Sequence, residues 1–368
     1  MRIMISASNG YSLINFRGDL IKEMVARGHE VICTSMEPEA QMEEMLSFLG
    51  AAYYRINGTR TGINPLSCLK TLLSYILAIR AIQPDLCFFY MSKPIAFGGL
   101  AASFCRVKRM VVFVTGLEVA FYSRGLKNFM VRSVLRLFYR WVHRRCESVF
   151  FMNRDDYRKM LQWRLVNKAQ AILVNGSGVN MEYFARKPLP ETDLVCMTAR
   201  LVWSKGIREY VEAARIVRKK YPRIRFLLVG GMDENPEALT PQEVRELSEE
   251  ENIDYCGGST DVRPYLEVCS IFVLPSYHEG SGRSILEAEA VGRPIITTDV
   301  PGCKETVIEG YNGFLIPPQD AQALAERILL LIEHKEIMKR MAYHSYIFCT
   351  RKYDVNKVND VFIKRMGL

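Results

Sequence analysis

The chain has 368 residues, 49% of them hydrophobic and 24% charged, which is an ordinary globular composition for about two domains of ~150 residues each. Its formal net charge of +9 suggests an acidic partner, such as nucleic acid, anionic lipid or a phosphorylated substrate. No apolar run approaches the ~18–20 residues of a membrane-spanning helix, and the start MRIMISASNGYS lacks the apolar core of a signal peptide, so we expect a cytoplasmic protein.

Short apolar runs alternate with amphipathic stretches in the first half of the chain. The strand-like run RIMISA precedes a helical pattern, LINFRGDLIKEMVAR, that Gly28 closes, and EVICTS, DLCFFYM, RMVVFV, ESVFFM and QAILV follow. This rhythm predicts βαβ units, and hence a parallel sheet with helices on both faces.

The segment NGSGVNMEYFARKPLPET interrupts the pattern, because it is rich in Gly, Asn and Pro, and we expect it to be a linker between domains. A second alternation begins with DLVCMTA and a helix over 207–221. It continues through RFLLVGG, a helix over 241–251, IDYCGG, SIFVLPS, RPIITT and NGFLIPP, and residues 321–363 are helical in pattern.

Two doubly wound α/β domains favour a ligand at the carboxyl ends of the strands, in a cleft that the domains face across. Dehydrogenases share this architecture. However, no G-x-G-x-x-G follows any strand and no G-x-x-x-x-G-K-[ST] occurs, so dinucleotide and P-loop sites are both disfavoured.

The stretch HEGSGRSILEAEA, over 278–290, places a glycine loop between the run IFVLPS and a helix starting near Ser284. Backbone N–H groups at such a helix start favour an anion, with phosphate the obvious candidate. Glu287, one turn into the helix, could accept two hydrogen bonds from a ribose diol, and Glu279 could accept from a second sugar. The pattern therefore indicates a nucleotide sugar. The alternative is a plain strand-to-helix turn with a solvated Glu287.

A second cluster supports the nucleotide sugar. Arg200 and Lys205 follow the first strand of the second domain, at the edge where a diphosphate would need cations. No D-x-D occurs, and the nearest acidic pairs are Asp155-Asp156 and Asp233-Glu234. A metal-independent site with no cofactor is therefore expected. Ten cysteines without a C-x-x-C pair or a His/Cys cluster predict buried thiols rather than disulfides or zinc.

These residues together resemble the retaining glycosyltransferases of family 4, which have the GT-B fold. The resemblance rests on the Glu279/Glu287 pair, on Arg200 and Lys205, and on the segments YSLINFRGDLIKEMVARGHEV, NGSGVNMEYF and PSYHEGSGRSILEAEAVGRPIITTDVPGCKETVIEGYNGFLIPP. It is strongest for bacterial enzymes that extend polyprenyl-diphosphate-linked glycans, including N-acetylgalactosaminyltransferases acting on diphospho-undecaprenol; VGGMDENPEALTP supports that subgroup.

The resemblance implies an acceptor-side domain over 1–180, to which 346–368 return as a crossing helix, and a nucleotide-sugar-binding domain over 190–345. Arg200 and Lys205 would clamp the donor diphosphate, Glu287 the ribose, and Glu279 the transferred sugar. The first domain would contact the donor through Asn9 and Gly10, and the loop 259–262, which contains Val262, would contact the uracil. The glycine loop would line the phosphate and the sugar through His278, Gly280, Ser281, Gly282, Arg283 and Ser284.

One position departs from the broader family, in which many members carry a histidine near the reacting carbon where VVFVTGLEVAFY has Thr115. Glu118 stands where the subgroup has a glycine, and it could touch the acceptor or simply face solvent. Retention in this family is assigned to same-face attack assisted by the leaving phosphate. A side-chain base is therefore not required, and the protein must supply alignment and leaving-group stabilisation.

The segment GLKNFMVRSVLRLFYRWVHRRC lies within a basic region, 106–145, that holds ten Lys/Arg and one acid. A stripe with four-residue spacing contains Arg132, Arg136, Arg140 and Arg144, beside an apolar face of Val131, Leu135, Phe138 and Val142. A basic amphipathic helix of this kind binds anionic bilayers. The alternative is a helix packed on the core with solvated arginines, and both can hold at once.

The leading hypothesis is transfer of a sugar, such as N-acetylgalactosamine, from a UDP donor to a polyprenyl-diphosphate-linked glycan at the inner face of the cytoplasmic membrane. Two alternatives stay open: a UDP-sugar epimerase of the same architecture, and a nucleotide-sugar-binding subunit without turnover. A nucleic-acid partner is not expected, because no known recognition motif occurs. The oligomeric state is left open.

Overall fold

The computed structural model describes residues 1–59, 64–117, 126–233 and 237–368. These residues form two compact units, one of 1–177 with 356–368 and the other of 178–355. Each unit has its own sheet and its own hydrophobic core.

The first unit alternates strands and helices, as the apolar rhythm predicts. Its strands are β1 (Arg2–Ser6), β2 (Glu30–Ser35), β3 (Ala52–Arg55), β4 (Leu86–Tyr90), β5 (Arg109–Val114), β6 (Ser148–Phe151) and β7 (Ala171–Leu173). Its helices are α1 (Tyr11–Ala26), α2 (Glu39–Ser47), α3 (Pro65–Ile82), a π-helical turn Pro94–Gly98 continuing into α4 (Gly99–Phe104), α5 (Leu126–His143), α6 (Arg154–Gln162) and, near the C-terminus, α13 (Val355–Met366).

Within the described residues the seven strands are all parallel, in the order β3-β2-β1-β4-β5-β6-β7. The strand order runs one way from β1 to β3 and the other way from β4 to β7. This change of order between β1 and β4 places a crevice at their carboxyl ends, as in other doubly wound sheets. The residues of β4 are all buried because helices cover both faces of the sheet.

The second unit repeats the pattern. Its strands are β8 (Leu194–Thr198), β9 (Arg225–Val229), β10 (Asp254–Tyr255), β11 (Ile271–Leu274), β12 (Ile295–Thr298) and β13 (Gly313–Ile316). Its helices are α7 (Ile207–Lys220), α8 (Pro241–Ser248), α9 (Arg263–Val268), α10 (Arg283–Val291), α11 (Ala321–Glu333) and α12 (Lys335–Lys352), with short 3₁₀ turns at Trp203–Lys205 and Lys304–Thr306. Its strands are parallel in the order β10-β9-β8-β11-β12-β13, counting the described part of the chain.

The structure divides the chain at different residues from those expected. The segment 346–355, expected with the first domain, belongs to the second unit, because α12 runs unbroken to Lys352 and packs against α10. Most of the expected linker also belongs there: Val179 and Phe184 are buried in the second core. Only 175–177 of that segment lie in the first unit.

The chain returns to the first unit through α13, as the resemblance implies. Phe362 on this helix is fully buried, and its ring centroid lies 4.5 Å from that of Phe150 and 5.0 Å from that of Phe113. Arg17 of α1 is also buried here, with its guanidinium carbon 4.5 Å from the Phe113 ring centroid. The last helix is therefore part of the core of the first unit.

The α3 helix corrects one expectation about apolar segments. Among the described residues it is the one helix long and apolar enough to cross a membrane, by length and composition only. The sequence expectation missed it because isolated Ser, Thr, Lys and Arg residues interrupt the apolar run. Its Tyr75, Ala78 and Ile79 are buried in the core of the first unit, so one face of α3 packs on protein.

Candidate functional site

The glycine loop predicted to bind a donor lies between β11 and α10. Gly282 adopts φ +53° and precedes the first residue of α10, and a Cβ there would approach Ile285 Cδ1 to 2.9 Å. Glycine is favoured at this position because L side chains disfavour positive φ. His278, Gly280 and Ser281 of the loop and Ser284 in the first helical turn are all half-buried.

Lys205 and Glu279, 74 residues apart, meet in an ion pair. Lys205 Nζ lies 2.5 Å from Glu279 Oε1, and the two side chains are only 15% and 14% exposed. The contact places a cation and a hydrogen-bond acceptor together beside the glycine loop. Because the pair is largely buried, removing either partner would leave the other charge uncompensated.

Hydrogen bonds to the Ser204 carbonyl hold the loop after β8 to the loop after β11. Tyr277 N–H donates to the Ser204 carbonyl at 2.8 Å, and Ser276 Oγ donates to the same oxygen at 3.1 Å. Gly206 then turns the chain into α7 with φ +80°, so close to β11 that a Cβ would lie 2.1 Å from the Pro275 carbonyl oxygen. The position of Lys205 thus depends on a glycine that the sequence reasoning did not single out.

Glu279 is held from its other side by the segment after β12. Its N–H donates to the Pro301 carbonyl at 3.1 Å, and a Cβ on Gly302 would lie 2.2 Å from its carbonyl oxygen. The Gly302 N–H in turn donates to Glu305 Oε2 at 2.9 Å. The segment Pro301–Glu305 therefore fixes the backbone from which Glu279 projects.

Glu287 projects from α10 and accepts a hydrogen bond from Arg283 Nε at 2.9 Å. Burial raises the pKa of the Glu287 carboxyl, and the charge of Arg283 partly offsets that rise. Arg283 also donates to the Gly178 carbonyl at 2.6 Å. Arg283 therefore orients Glu287 and leaves it capacity for further hydrogen bonds, since a carboxylate accepts about four.

Arg200 lies after β8, as expected, but it is more exposed than Lys205. Its Nη1 lies 2.8 Å from Asp233 Oδ2, and the Arg200 side chain is 55% exposed whereas Asp233 is 8% exposed. The sequence reasoning missed this partner, although Asp233 follows the end of β9, the strand next to β8.

Val262 immediately precedes α9 and packs against the core of the second unit. In the loop before it, Ser259 Oγ donates to the Asp261 carbonyl at 2.7 Å, and the Asp261 carboxylate accepts from the Arg263 N–H at 3.0 Å. Arg263 also stacks on Tyr183, 3.8 Å from the ring centroid. The loop 259–262 is therefore held in shape by its own side chains.

The α10 helix carries another acidic residue, the fully buried Glu289, which the sequence reasoning did not single out. Glu289 Oε1 accepts from Asn312 Nδ2 at 2.7 Å, while Glu289 Oε2 is buried with no hydrogen-bond partner among the described residues. Burial raises the pKa of Glu289 well above its usual value. This residue joins α10 to the turn before β13, but it does not belong to the Lys205–Glu279 cluster.

The predicted residues of the first unit lie at the carboxyl ends of its strands. Gly10 N–H donates to Glu37 Oε2 at 2.8 Å, and a Cβ on Gly10 would lie 2.6 Å from Met42 Sδ. Asn9 Oδ1 accepts from the first N–H of α1 at 2.9 Å. Thr115 directly follows β5 and is half-buried. Glu118 lies outside the described residues.

The predicted basic stripe lies on and just beyond α5. Arg132 and Arg136 are half-buried, whereas Arg140 and Arg144 are exposed. Arg136 stacks on Trp163, with its guanidinium carbon 4.4 Å from the ring centroid. Of the predicted apolar face, Val142 is buried, Leu135 packs on the core and Phe138 contacts Phe97, while the Val131 side chain is outside the described part. The packed-helix alternative therefore holds for this face.

Comparisons with known proteins match both units. Residues 180–347 match the family described as Glycosyl transferases group 1, and residues 3–153 match Glycosyl transferase 4-like. A Campylobacter jejuni protein, N,N'-diacetylbacillosaminyl-diphospho-undecaprenol alpha-1,3-N-acetylgalactosaminyltransferase, is 28% identical over 99% of this chain and 98% of its own. The capsular polysaccharide biosynthesis glycosyltransferase CapM of Staphylococcus aureus is 24% identical over 76% and 75%.

Solved structures share the fold. Anabaena HepE, in complex with UDP-glucose, superposes with a TM-score of 0.80 at 18% identity, covering 100% of this chain and 99% of that one. Sucrose-phosphate synthase from Thermosynechococcus elongatus gives 0.79 at 18% identity, covering 99% and 98%. With two Rossmann-like units and family matches over both, the chain belongs to the group 1, family 4-like glycosyltransferases of the GT-B fold.

Proposed function

We propose that this glycosyltransferase moves a sugar, in the first instance an N-acetylhexosamine such as N-acetylgalactosamine, from a UDP-sugar to a polyprenyl-diphosphate-linked glycan with retention of configuration. The observation that carries the proposal is the cluster of Lys205, Glu279, Arg283 and Glu287 around the glycine loop. The N-acetylgalactosaminyltransferase relative, which matches over nearly the whole chain and is named for a diphospho-undecaprenol substrate, supports the acceptor class.

In the proposed reaction, the bond between the sugar's anomeric carbon and the diphosphate oxygen breaks, and the acceptor hydroxyl forms the new bond on the same face. UDP leaves with the electron pair, and its phosphate takes the hydroxyl proton. Lys205 and Arg200 stabilise the charge that develops on the diphosphate. Glu287 accepts from the ribose hydroxyls, and Glu279 accepts from hydroxyls of the transferred sugar. We propose that this transfer needs no metal or cofactor, because these cations can supply the positive charge.

The test is UDP release with a polyprenyl-diphosphate-linked glycan acceptor. We expect Lys205→Ala and Glu287→Ala each to lower kcat/KM by about 100-fold or more, since each removes a charged group from the donor site. Lys220→Ala is the matched control, because Lys220 also pairs with a glutamate, Glu333 at 2.6 Å, but in an exposed pair. Near-normal turnover by both site variants would exclude this donor pocket.

Two other outcomes separate the proposal from its alternatives. Conversion of the UDP-sugar without an acceptor would identify an epimerase. Binding of UDP without any transfer, across a panel of UDP- and GDP-sugars, would identify a subunit without turnover. Thermal protection by the correct sugar nucleotide measures binding in either case.

We further propose that the protein works at the inner face of the cytoplasmic membrane. A lipid-linked acceptor requires access to a bilayer surface, and exposed arginines attract anionic headgroups. Arg140 and Arg144 are exposed and support this location. Replacing both with Glu is expected to weaken co-sedimentation with anionic vesicles, and unchanged co-sedimentation would count against a role for this helix.

A further inference from the structure

The outer face of α3 is a stripe of exposed leucines. Leu66, Leu69, Leu73 and Leu77 recur every three or four residues and are 79%, 52%, 51% and 62% exposed. A surface helix that buries one face normally carries polar residues on the other. The inward face of α3 already packs on the core of the first unit, so the leucines form a second apolar face that the described residues of this unit leave exposed.

The neighbouring helices on this side of the first unit also carry exposed apolar residues. The segment Pro94–Phe104 packs against both α3 and α5, and Phe104, 61% exposed, lies 5.9 Å from the Trp141 ring of α5. On α5, Met130, Val134 and Leu137 are exposed and lead at helical spacing to Trp141. We name these residues the apolar surface: Leu66, Leu69, Leu73, Leu77, Phe104, Met130, Val134 and Leu137.

The charges on the two helices are all of one sign. The residues Pro65–Ile82 and Leu126–His143 contain no Asp or Glu, and their charged residues other than histidine are Lys70, Arg80, Lys127, Arg132, Arg136 and Arg140. Two copies of this chain meeting through the surface would bring like charges together, which opposes association. An anionic bilayer instead offers negative charge to the cations and an acyl boundary to the leucines.

We propose that the apolar surface docks into the interfacial layer of an anionic lipid bilayer, with α3 lying in the plane of the membrane and its leucines entering the acyl boundary. This contact would bring the enzyme to its lipid-linked acceptor. Its biological purpose rests on the proposed function, but membrane binding itself does not. The helix lies on the membrane rather than crossing it, because its other face is buried in protein.

The test is co-sedimentation of the full chain with vesicles of phosphatidylcholine mixed with an equal amount of phosphatidylglycerol. The variant carries Leu69→Ser, Leu73→Ser and Leu77→Ser, which remove exposed side chains and should leave the thermal unfolding temperature nearly unchanged. We expect its vesicle affinity to fall by at least about tenfold, because the buried apolar area sets interfacial binding. Binding of the wild type to phosphatidylcholine alone should be weaker by a similar factor.

Phe48→Ser is the matched control, since Phe48 is 80% exposed at the end of α2 and lies outside the apolar surface. It should bind vesicles like the wild type. Equal vesicle binding by the triple variant and the wild type would overturn the proposal. So would a wild-type dimer in sedimentation velocity that the triple variant abolishes without any change in vesicle binding, which would assign the surface to a second copy of the chain.

The vesicle assay needs no turnover, so it is independent of the proposed reaction. A parallel UDP-release assay with a water-soluble, short-chain acceptor analogue tests that reaction alone. The triple variant should match the wild type there and lose activity only with acceptor embedded in vesicles. Equal loss in both assays would contradict a docking role for the leucines.

Discussion

Glu279 and Glu287 flank the same glycine loop but have different partners. Glu279 pairs with Lys205, whereas Glu287 is oriented by Arg283. We expect Glu287→Ala to weaken UDP binding by about 10- to 100-fold, because the complex loses two hydrogen bonds between the carboxylate and the ribose, worth roughly 1.5–3 kcal/mol.

Glu279→Ala should leave UDP affinity within about threefold of the wild type or improve it, because Lys205 is then released toward the diphosphate. The rate of sugar transfer should nevertheless fall about 100-fold. Isothermal titration with UDP measures the first quantity and UDP release the second.

Glu333→Ala serves as the control for both carboxylate variants, since Glu333 also pairs with a lysine but on the surface. It should change neither quantity. If Glu279→Ala weakened UDP binding as much as Glu287→Ala, the assignment of Glu279 to the sugar rather than the nucleotide would be wrong.

The buried Glu289 carboxyl predicts a pH dependence of stability. Its pKa in the folded state lies well above the usual value of 4.5, because burial disfavours the charge. The folded chain therefore holds this proton when the unfolded chain has released it, and stability falls as pH rises from about 4.5 toward the folded-state pKa. Glu289→Gln keeps the acceptor for Asn312 and removes the titration. We expect it to raise the unfolding temperature at pH 8 by about 2 °C or more, with little change at pH 4.

The difference between the wild type and Glu289→Gln isolates this group from the other carboxyls of the chain. A constant difference in unfolding temperature from pH 4 to pH 8 would show that Glu289 does not titrate in this range. A less stable variant at pH 8 would show that the charged carboxylate is stabilised by its surroundings.

At the scale of elements, substituting Gly206 in the turn into α7 is expected to lower activity, although glycine has no side chain that could contact substrate. Gly206 has φ +80°, and a Cβ would lie 2.1 Å from the Pro275 carbonyl oxygen, so Gly206→Ala must shift the turn that carries Lys205. Gly310→Ala is the control, because Gly310 has φ +74° and no atom of the described residues lies within 4 Å of the added Cβ. Both variants should lose about 1–2 kcal/mol of stability from the positive φ, and Gly206→Ala should lose more because its Cβ clashes with backbone. Only Gly206→Ala should lower UDP release, by about tenfold or more. Equal UDP release by the two variants would show that the shape of this turn does not affect catalysis.

Of the strands in the described sheets, all but β3 could be predicted from apolar periodicity, because β3 (AYYR) has only four residues, one of them buried; the glycine loop could be placed between β11 and α10. The pairing of Lys205 with Glu279 could not, because it depends on how two loops 74 residues apart in sequence meet at the ends of β8 and β11. A local pattern fixes which strand end a residue follows, but side-chain contacts depend on the register of the sheet.

The leucine stripe of α3 was missed for a related reason. A sequence pattern shows that a helix has apolar residues on several sides, but not which side the rest of the fold covers. In α3 the covered side is that of Tyr75, Ala78 and Ile79, and the leucines lie opposite. On α5 the expected apolar face is the packed one, and Met130, Val134 and Leu137 form a second face that periodicity did not separate from it.

At the scale of the whole molecule, the chain passes from the first unit to the second near residue 177 and returns near 356. The resemblance placed the return at residue 346, ten residues too early, and the helical pattern of residues 321–363 offered no boundary to correct it. The structure shows breaks at His334 and near Asp354, and only the helix after the second break belongs to the first unit. Helical periodicity alone does not reveal which sheet a helix covers.

This arrangement predicts that the first unit depends on the last thirteen residues of the chain. Phe362 is fully buried among Phe88, Phe113 and Phe150, so Phe362→Ala should cost about 3–5 kcal/mol of unfolding free energy through lost burial and a residual cavity. Val361→Ala, at the adjacent and partly exposed position, should cost less than about 1 kcal/mol.

Urea unfolding measures the loss of unfolding free energy, and hydrogen exchange with mass spectrometry shows where in the chain the loss occurs. Exchange should accelerate in β4, β5 and β6, while β8, β11 and β12 keep their protection, because those strands have a separate core. Equal acceleration in both sheets would show that the two cores unfold as one cooperative unit rather than separately.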